Sequence, residues 1–161
     1  MSQLSADRDT KTREAARERL PVAADTVIYG GAAVAADSSG NAVPAANSSG
    51  LKFRGVAEDL ADNDGGDAGD VNVHVRKAPS ARWAGSGFSA ADLGADVYFA
   101  DDQTVTKTPG GCLAGKILEV VSATSVWVDH RAVYLAQDSA VELTSGAAAT
   151  TTEGATTTPG G

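Results

Sequence analysis

The chain has 161 residues and a formal net charge of −8, and its apolar residues are mostly Val and Ala, with few aromatics. One domain with appended arms fits this length, because a domain typically takes about 100 to 200 residues. An acidic body repels nucleic acid and anionic membranes, so neither is expected as a partner. The single cysteine, Cys112, permits no intrachain disulfide and no thiol-based metal site, and we expect it as a small residue in a turn.

The amino-terminal segment 1–20 differs from the acidic remainder, since its five basic and four acidic residues give a net charge of +1. It contains good helix formers but almost no apolar residue, so no core-facing stripe exists and an isolated helix would be marginal. Two interpretations stay open: a solvated, frayed terminus, or an extended arm that becomes ordered against a partner. No segment is typical of a signal peptide or a bilayer span, so a soluble protein made in the cytoplasm is expected.

Residues 21–131 predict an all-β body, a small β-barrel or β-sandwich. Short apolar or alternating segments are separated by turns rich in Gly, Asp, Asn and Ser at about 8- to 12-residue intervals. The predicted strands are 27–29, 32–35, 42–45, 51–58, 71–77, an irregular strand within 78–87, 95–100, 104–107, 114–121 and 125–129. Between the irregular strand and the next, Ser89 and Gly94 predict the start and the end of a single helical turn.

The segments 51–58 and 71–77 predict the central hairpin of the body. In the second segment, valines alternate with Asn72, His74 and Arg76, the period of two that a half-buried strand requires. The acidic run 59–70 between them is expected to be a solvated turn. It does not match a calcium loop, because Gly66 stands where Asp or Asn is needed and no Glu occupies the twelfth position.

The sequence predicts no catalytic, cofactor or metal site, and therefore not an enzyme. His74 and His130 are the two imidazoles, and both are expected at the surface, one on the polar face of a strand and the other at a strand end. No nucleophile elbow, paired metal-ligand histidines or phosphate-binding loop is present.

The carboxy-terminal extension, 132–161, follows what looks like a complete domain. Its first part, 132–143, has enough apolar residues for one more strand or a short amphipathic piece. The remainder is Thr, Ala and Gly, a composition typical of a disordered, low-complexity tail.

Several short segments of the body and its flanks, none of them specific alone, form a pattern when they are taken together in chain order. They are 20–24, 28–35, 50–58 (GLKFRGVAE), 71–77 (VNVHVRK), 91–94, 97–105 and 114–118 through 126–129. In this order, over about residues 5–131, the chain resembles the capsid decoration, or cement, proteins of tailed bacteriophages. The resemblance implies a structural virion protein, made in the bacterial host cytoplasm, that binds the outer surface of an expanded capsid. Its implied partners are the major capsid protein and copies of itself in a homotrimer that stabilises contacts between capsomers.

The arm is expected to cross to a neighbouring subunit or capsid protein, and the tail is a second candidate for such a crossing, its role being left open by the sequence. Arginine offers a planar fork to carboxylates, so an acidic protein surface is the expected partner. The residues predicted at this interface are Arg8, Lys11, Arg13, Arg17, Arg19, Leu20 and Trp83. Trp83 is expected to pack either on the barrel or on a neighbouring subunit. An alternative function is a carbohydrate- or cell-surface-binding β-module, with Trp83, Trp127 and Tyr98 as stacking platforms.

Overall fold

The computed structural model describes residues 6, 11, 12 and 15–137. Its strands are β1 Arg17–Pro21, β2 Thr26–Ile28, β3 Ala33–Ala36, β4 Ala42–Pro44, β5 Lys52–Ala57, β6 Ala61–Asn63, β7 Asn72–Arg76, β8 Ser80–Gly85, β9 Asp96–Phe99, β10 Thr104–Thr106, β11 Leu113–Ser122 and β12 Ser125–Asp129. A single 3₁₀ turn, Ala90–Asp92, precedes β9, and residues 131–137 are helical. The predicted all-β class is therefore confirmed.

The strands form a closed barrel, a five-stranded sheet and a two-stranded ribbon. The barrel order is β10-β8-β12-β11-β9, the sheet order is β1-β7-β5-β3-β4, and β2 pairs with β6. Every ladder between these strands is antiparallel except that of β10 with β8. Barrel closure removes the open edges of that sheet, whereas β1 and β4 lie at the edges of the five-stranded sheet.

Two hydrophobic cores lie on opposite faces of the five-stranded sheet. The first fills the barrel and reaches the sheet at Ala33, Ala35 and Phe53. The second lies under the β2-β6 ribbon and takes Val73 and Val75 from β7. Burial on both faces explains why the central strands are rich in small and β-branched residues, which pack closely in thin layers.

Glycine permits two bends where a side chain would collide with backbone. Gly55 in β5 has φ 142° and Gly115 in β11 has φ 144°, both outside the range that L-residues favour. Both lie at register irregularities, and a Cβ on Gly115 would approach the carbonyl oxygen of Asp129 to 2.0 Å. These bulges bend the strands, the usual role of a glycine inside a ladder.

The structure contains the predicted hairpin but corrects the segment between its strands. β5 pairs with β7 through Val56 opposite Arg76. The acidic run between them is only partly a solvated turn, because its residues Ala61–Asn63 form β6 and pair with β2. Asn63 is buried, and its side-chain amide donates to the carbonyl oxygens of Ala23 and Asp67 at 2.8 and 2.9 Å.

The predicted boundaries of the arm and of the extension also shift. Residues 17–20, assigned to the arm by sequence, form edge strand β1 together with Pro21 and belong to the sheet. The first residues of the extension are helical over 131–137, and Val133 is buried against the barrel core. The predicted tail, 144–161, lies outside the described residues.

Candidate protein-binding face

One face of the β1-β7 ladder is basic. Arg17 lies opposite Arg76, and Arg19 lies opposite His74, in the antiparallel register. Residues directly opposite each other project to the same side of a sheet. We call these four residues the basic face. Val75, which lies between His74 and Arg76 in β7, projects to the other side and is fully buried.

Two of the four residues of the basic face have a carboxylate partner, and both pairs are exposed and therefore weak. Arg17 Nε donates to Glu58 Oε1 at 3.2 Å from a side chain that is 72% exposed, and His74 Nδ1 lies 3.2 Å from Asp59 Oδ2 with both side chains more than half exposed. Arg19 and Arg76 form no hydrogen bond or ion pair through their side chains with any residue that the structure describes. Cationic side chains are thus concentrated on one surface of a chain whose net charge is −8.

An open groove of about 360 Å³ lies beside the basic face, where the sheet meets the barrel. Val56 and Arg76 line it from the sheet, and Arg82 and Trp127 line it from the barrel. Trp127 lies opposite Arg82 in the β8-β12 register and is 37% exposed. Arg82 Nε donates to Ser125 Oγ at 2.7 Å, and no carboxylate within the described region pairs with this guanidinium. We call this site the Trp127 groove.

An ion-pair cluster fixes β1 on the sheet. Arg54 donates two hydrogen bonds to the carboxylate of Glu18, the one from Nε at 3.0 Å, and Lys77 Nζ lies 2.6 Å from Glu18 Oε1. Burial alone would raise the pKa of Glu18, but the hydrogen bonds from Lys77 and Arg54 outweigh it and lower this pKa. Glu18 is therefore ionised at neutral pH, and the arginines on either side of it project from a fixed strand.

The structure brings together only some of the residues predicted from sequence. Arg8 and Arg13 lie outside the described residues, and Lys11 precedes β1. Arg17 and Arg19 lie on the basic face. Arg76 and Arg82 are not among the interface residues predicted from sequence. The alternation of β7 placed Arg76 on a polar face, but no local signal indicates that Arg82 lies beside it.

Leu20 and Trp83 do not lie on this surface. Leu20 projects to the other side of β1 and packs against the second core. Trp83 is 5% exposed, lies in the barrel core, and its Nε1 donates to His130 Nε2 at 3.1 Å. Trp83 thus packs on the barrel, the first of its two predicted alternatives, and its assignment to the interface is corrected because its ring is covered within one chain.

His130 and Cys112 are likewise more buried than predicted. His130 is fully buried, and its Nδ1 donates to the carbonyl oxygen of Ala114 at 2.7 Å. Burial lowers the pKa of His130, so the imidazole is neutral at pH 7. Burial also raises the pKa of the Cys112 thiol to about 11, which leaves it unreactive. His74 is exposed, as predicted, and its Nδ1 lies 3.2 Å from Asp59 Oδ2.

Within residues 15–137 and the three described positions before them, no group of three or more His, Cys, Asp or Glu is arranged to hold a metal ion. None of the helices in this part of the chain is long and apolar enough to cross a membrane. Comparison with protein-family models, with curated proteins and with solved structures found no significant match to the chain.

Proposed function

We propose that the protein is a structural virion protein that binds the outer surface of an expanded phage capsid and stabilises contacts between capsomers. The proposal starts from the resemblance to capsid decoration proteins. The observation that carries it is the basic face, with Arg82 and Trp127 in the groove beside it, on a chain whose net charge is −8. Arginine and tryptophan are the residues most enriched at the energetic centres of protein interfaces.

The expected partner surface on the major capsid protein is acidic. A guanidinium without a carboxylate of its own can form a bidentate pair with a partner's carboxylate without first breaking an internal ion pair. A positively charged partner would be attracted to the acidic remainder of the chain, whose net charge is −8, and not to the basic face. The sheet fixes the backbone from which these arginines project, so no backbone has to become ordered on binding, which reduces the entropy lost.

The amino-terminal segment joins the body at this same surface, because β1 begins at Arg17. A segment attached there, with Arg8, Lys11 and Arg13 among its residues, would extend the contact to a neighbouring capsid subunit. Several weak contacts from one protein, or from one trimer, then add through effective concentration. This arrangement suits a protein that must bridge capsomers.

Charge reversal of the Trp127 groove tests the proposal. We expect Arg76→Glu and Arg82→Glu each to weaken co-sedimentation with expanded capsids by at least about tenfold, because a reversed charge repels the acidic partner surface. Lys52→Glu is the matched control: it makes the same change of charge at an exposed position of the neighbouring strand β5. Equal binding by all three variants and the unaltered protein would refute this binding surface.

Deletion of residues 1–14 tests the arm separately. This deletion leaves β1 and the Glu18 cluster intact, whereas a longer deletion through residue 19 would remove both. We expect the shortened protein to fold and to bind capsids more weakly. Undiminished capsid affinity would show that the arm takes no part in binding.

The alternative carbohydrate-binding module is less well supported in the form that the sequence predicted. Trp83 is buried and cannot act as a stacking platform. Trp127 is exposed but lies between charged residues, opposite Arg82 on one side and Glu119 on the other.

A further inference from the structure

A second open pocket, of about 390 Å³, lies between two turns of the chain. The first turn follows β2 and contributes Tyr29, Gly30, Gly31 and Ala32. The second precedes β10 and contributes Asp102 and Gln103. We call it the Tyr29 pocket. It borders the Trp127 groove at Gly31, but none of its functional side chains belongs to the basic face.

The polar groups of this pocket are free to bind a ligand. Tyr29 is 65% exposed, although the preceding residue, Ile28, is fully buried. The Tyr29 hydroxyl, the Asp102 carboxylate and the Gln103 side-chain amide form no hydrogen bond or ion pair with any residue in the described part of the chain. A single concave surface is therefore lined by one aromatic ring, one carboxylate and one amide, whose hydrogen-bonding groups have no partner in the described part of the chain.

Backbone hydrogen bonds hold the first turn in place. The amide of Ala32 donates to the carbonyl oxygen of Tyr29 at 3.1 Å, and the amide of Gly31 donates to that of Ala57 at 2.8 Å. Gly31 has φ 90°, a conformation that residues with a side chain rarely adopt, so a glycine at this position permits the turn. The ring of Tyr29 is thus presented from a fixed turn.

The second turn is fixed to the first. The amide of Ala33 donates to the carbonyl oxygen of Asp102 at 2.8 Å. The carboxylate of Asp101 accepts hydrogen bonds from the amides of Gln103 and Thr104 at 2.9 and 2.7 Å. Because Asp101 is occupied in this way, Asp102 is the carboxylate available to a ligand. A pocket whose walls are already ordered binds with a smaller entropic cost.

These groups favour a neutral ligand with many hydroxyl groups. A phosphate or a carboxylate would be repelled by Asp102, and no Lys or Arg lines the pocket. A calcium ion needs six or more oxygen ligands, so a pocket with a single carboxylate does not favour calcium. A flat aromatic ring can pack against the C–H face of a sugar, while the carboxylate accepts from neighbouring hydroxyls and the amide both donates and accepts.

We propose that the Tyr29 pocket binds a neutral saccharide, with the ring of Tyr29 as the platform and Asp102 and Gln103 as hydrogen-bonding partners. This site differs from the aromatic set that the sequence indicated, and it does not depend on the capsid-binding proposal. A virion protein with such a pocket could bind a neutral surface glycan as well as its structural partner.

The test uses the complete chain. A glycan array selects the saccharide, and titration of ¹⁵N-labelled protein with that saccharide, or with methyl glycosides of glucose, galactose, mannose and N-acetylglucosamine, locates its site. We expect amide shifts confined to residues 29–32 and 101–104. Tyr29→Ala is expected to weaken binding about tenfold, whereas Tyr29→Phe should keep most of it, because the ring face supplies the contact.

Trp127→Ala is the matched control, an exposed aromatic outside the pocket, and its saccharide affinity should be unchanged. Asp102→Asn should weaken binding without changing the urea midpoint, since Asp102 has no internal side-chain partner in the described structure. Absence of array signal together with absence of amide shifts at millimolar saccharide would overturn the proposal. So would binding that survives Tyr29→Ala but is lost in Trp127→Ala.

Discussion

Trp83 and His130 form a buried side-chain hydrogen bond in the barrel core, and Trp83→Phe tests its contribution to stability. Trp83 Nε1 donates to His130 Nε2 at 3.1 Å, while His130 Nδ1 donates to the carbonyl oxygen of Ala114 at 2.7 Å. Both rings are almost completely buried. Phenylalanine keeps an aromatic ring beside Phe99, whose centroid lies 5.1 Å away, but removes the N–H group.

The expected cost has two parts. A buried acceptor left without a donor costs about 1 to 3 kcal/mol. The smaller ring leaves a void of roughly 40 Å³, which at about 24 cal/mol per Å³ adds about 1 kcal/mol. The free energy of unfolding should therefore fall by about 2 to 4 kcal/mol, a large part of the roughly 5 to 15 kcal/mol typical of a domain.

Urea unfolding followed by far-ultraviolet circular dichroism measures this cost, and Trp127→Phe is the control. Trp127 is 37% exposed, and its indole N–H has no partner among the described residues, so its replacement should cost less than about 1 kcal/mol. Equal unfolding free energies for the two variants would refute the reasoning, because burial and hydrogen bonding are what distinguish the two tryptophans.

Three further predictions concern stability. Burial lowers the pKa of His130 below its ordinary 6.5, so as the pH falls the unfolded chain binds the proton before the folded chain does. Below about pH 6.5 the free energy of unfolding should therefore fall by up to about 1.4 kcal/mol per pH unit. The decrease should end where the pH reaches the lowered pKa of His130 in the folded protein. Urea titrations from pH 8 to 5 measure this slope, and its absence would contradict a buried neutral imidazole. Gly115→Ala should lower the thermal midpoint far more than Gly65→Ala, because both have positive φ but only the Cβ at 115 meets backbone; equal midpoints would exclude the collision. Glu18→Gln should cost about 1 to 2 kcal/mol in urea unfolding, since it leaves two partly buried cations without their carboxylate; an unchanged value would mean that the cluster does not stabilise β1.

Local patterns predicted the elements whose partners are close in sequence. The alternation of Val73 and Val75 with His74 identified β7 and its polar face, because a half-buried strand has a period of two. Ser89 and Gly94 identified a single helical turn, and the structure has the 3₁₀ turn Ala90–Asp92 there, with the amide of Ser89 donating to Asp92 Oδ2 at 2.7 Å. Such signals depend only on residues that are close in sequence, so they can be recognised without knowledge of the tertiary structure.

The features that sequence reasoning missed depend on distant partners. The sequence predicts that Asn63 lies in a solvated acidic turn. Pairing of β6 with β2 instead buries it, and its side-chain amide donates to the carbonyl oxygen of Ala23, forty residues earlier. His130 reads as a strand end, but the following helical residues and Trp83 enclose it. The basic face was partly foreseen from Arg17 and Arg19, whereas the Trp127 groove arises only when the sheet meets the barrel.

The central claim, that this protein binds the outside of an expanded capsid, is tested most directly by saturation binding. Expanded heads assembled without the protein, from the major capsid protein encoded by the same genome, are titrated with purified full-length chain and sedimented, with unexpanded heads as the comparison. We predict saturable binding to the expanded heads alone, at three copies per local three-fold site, and binding that is at least about tenfold weaker in the Arg76→Glu variant. Absence of binding to expanded heads would contradict the account.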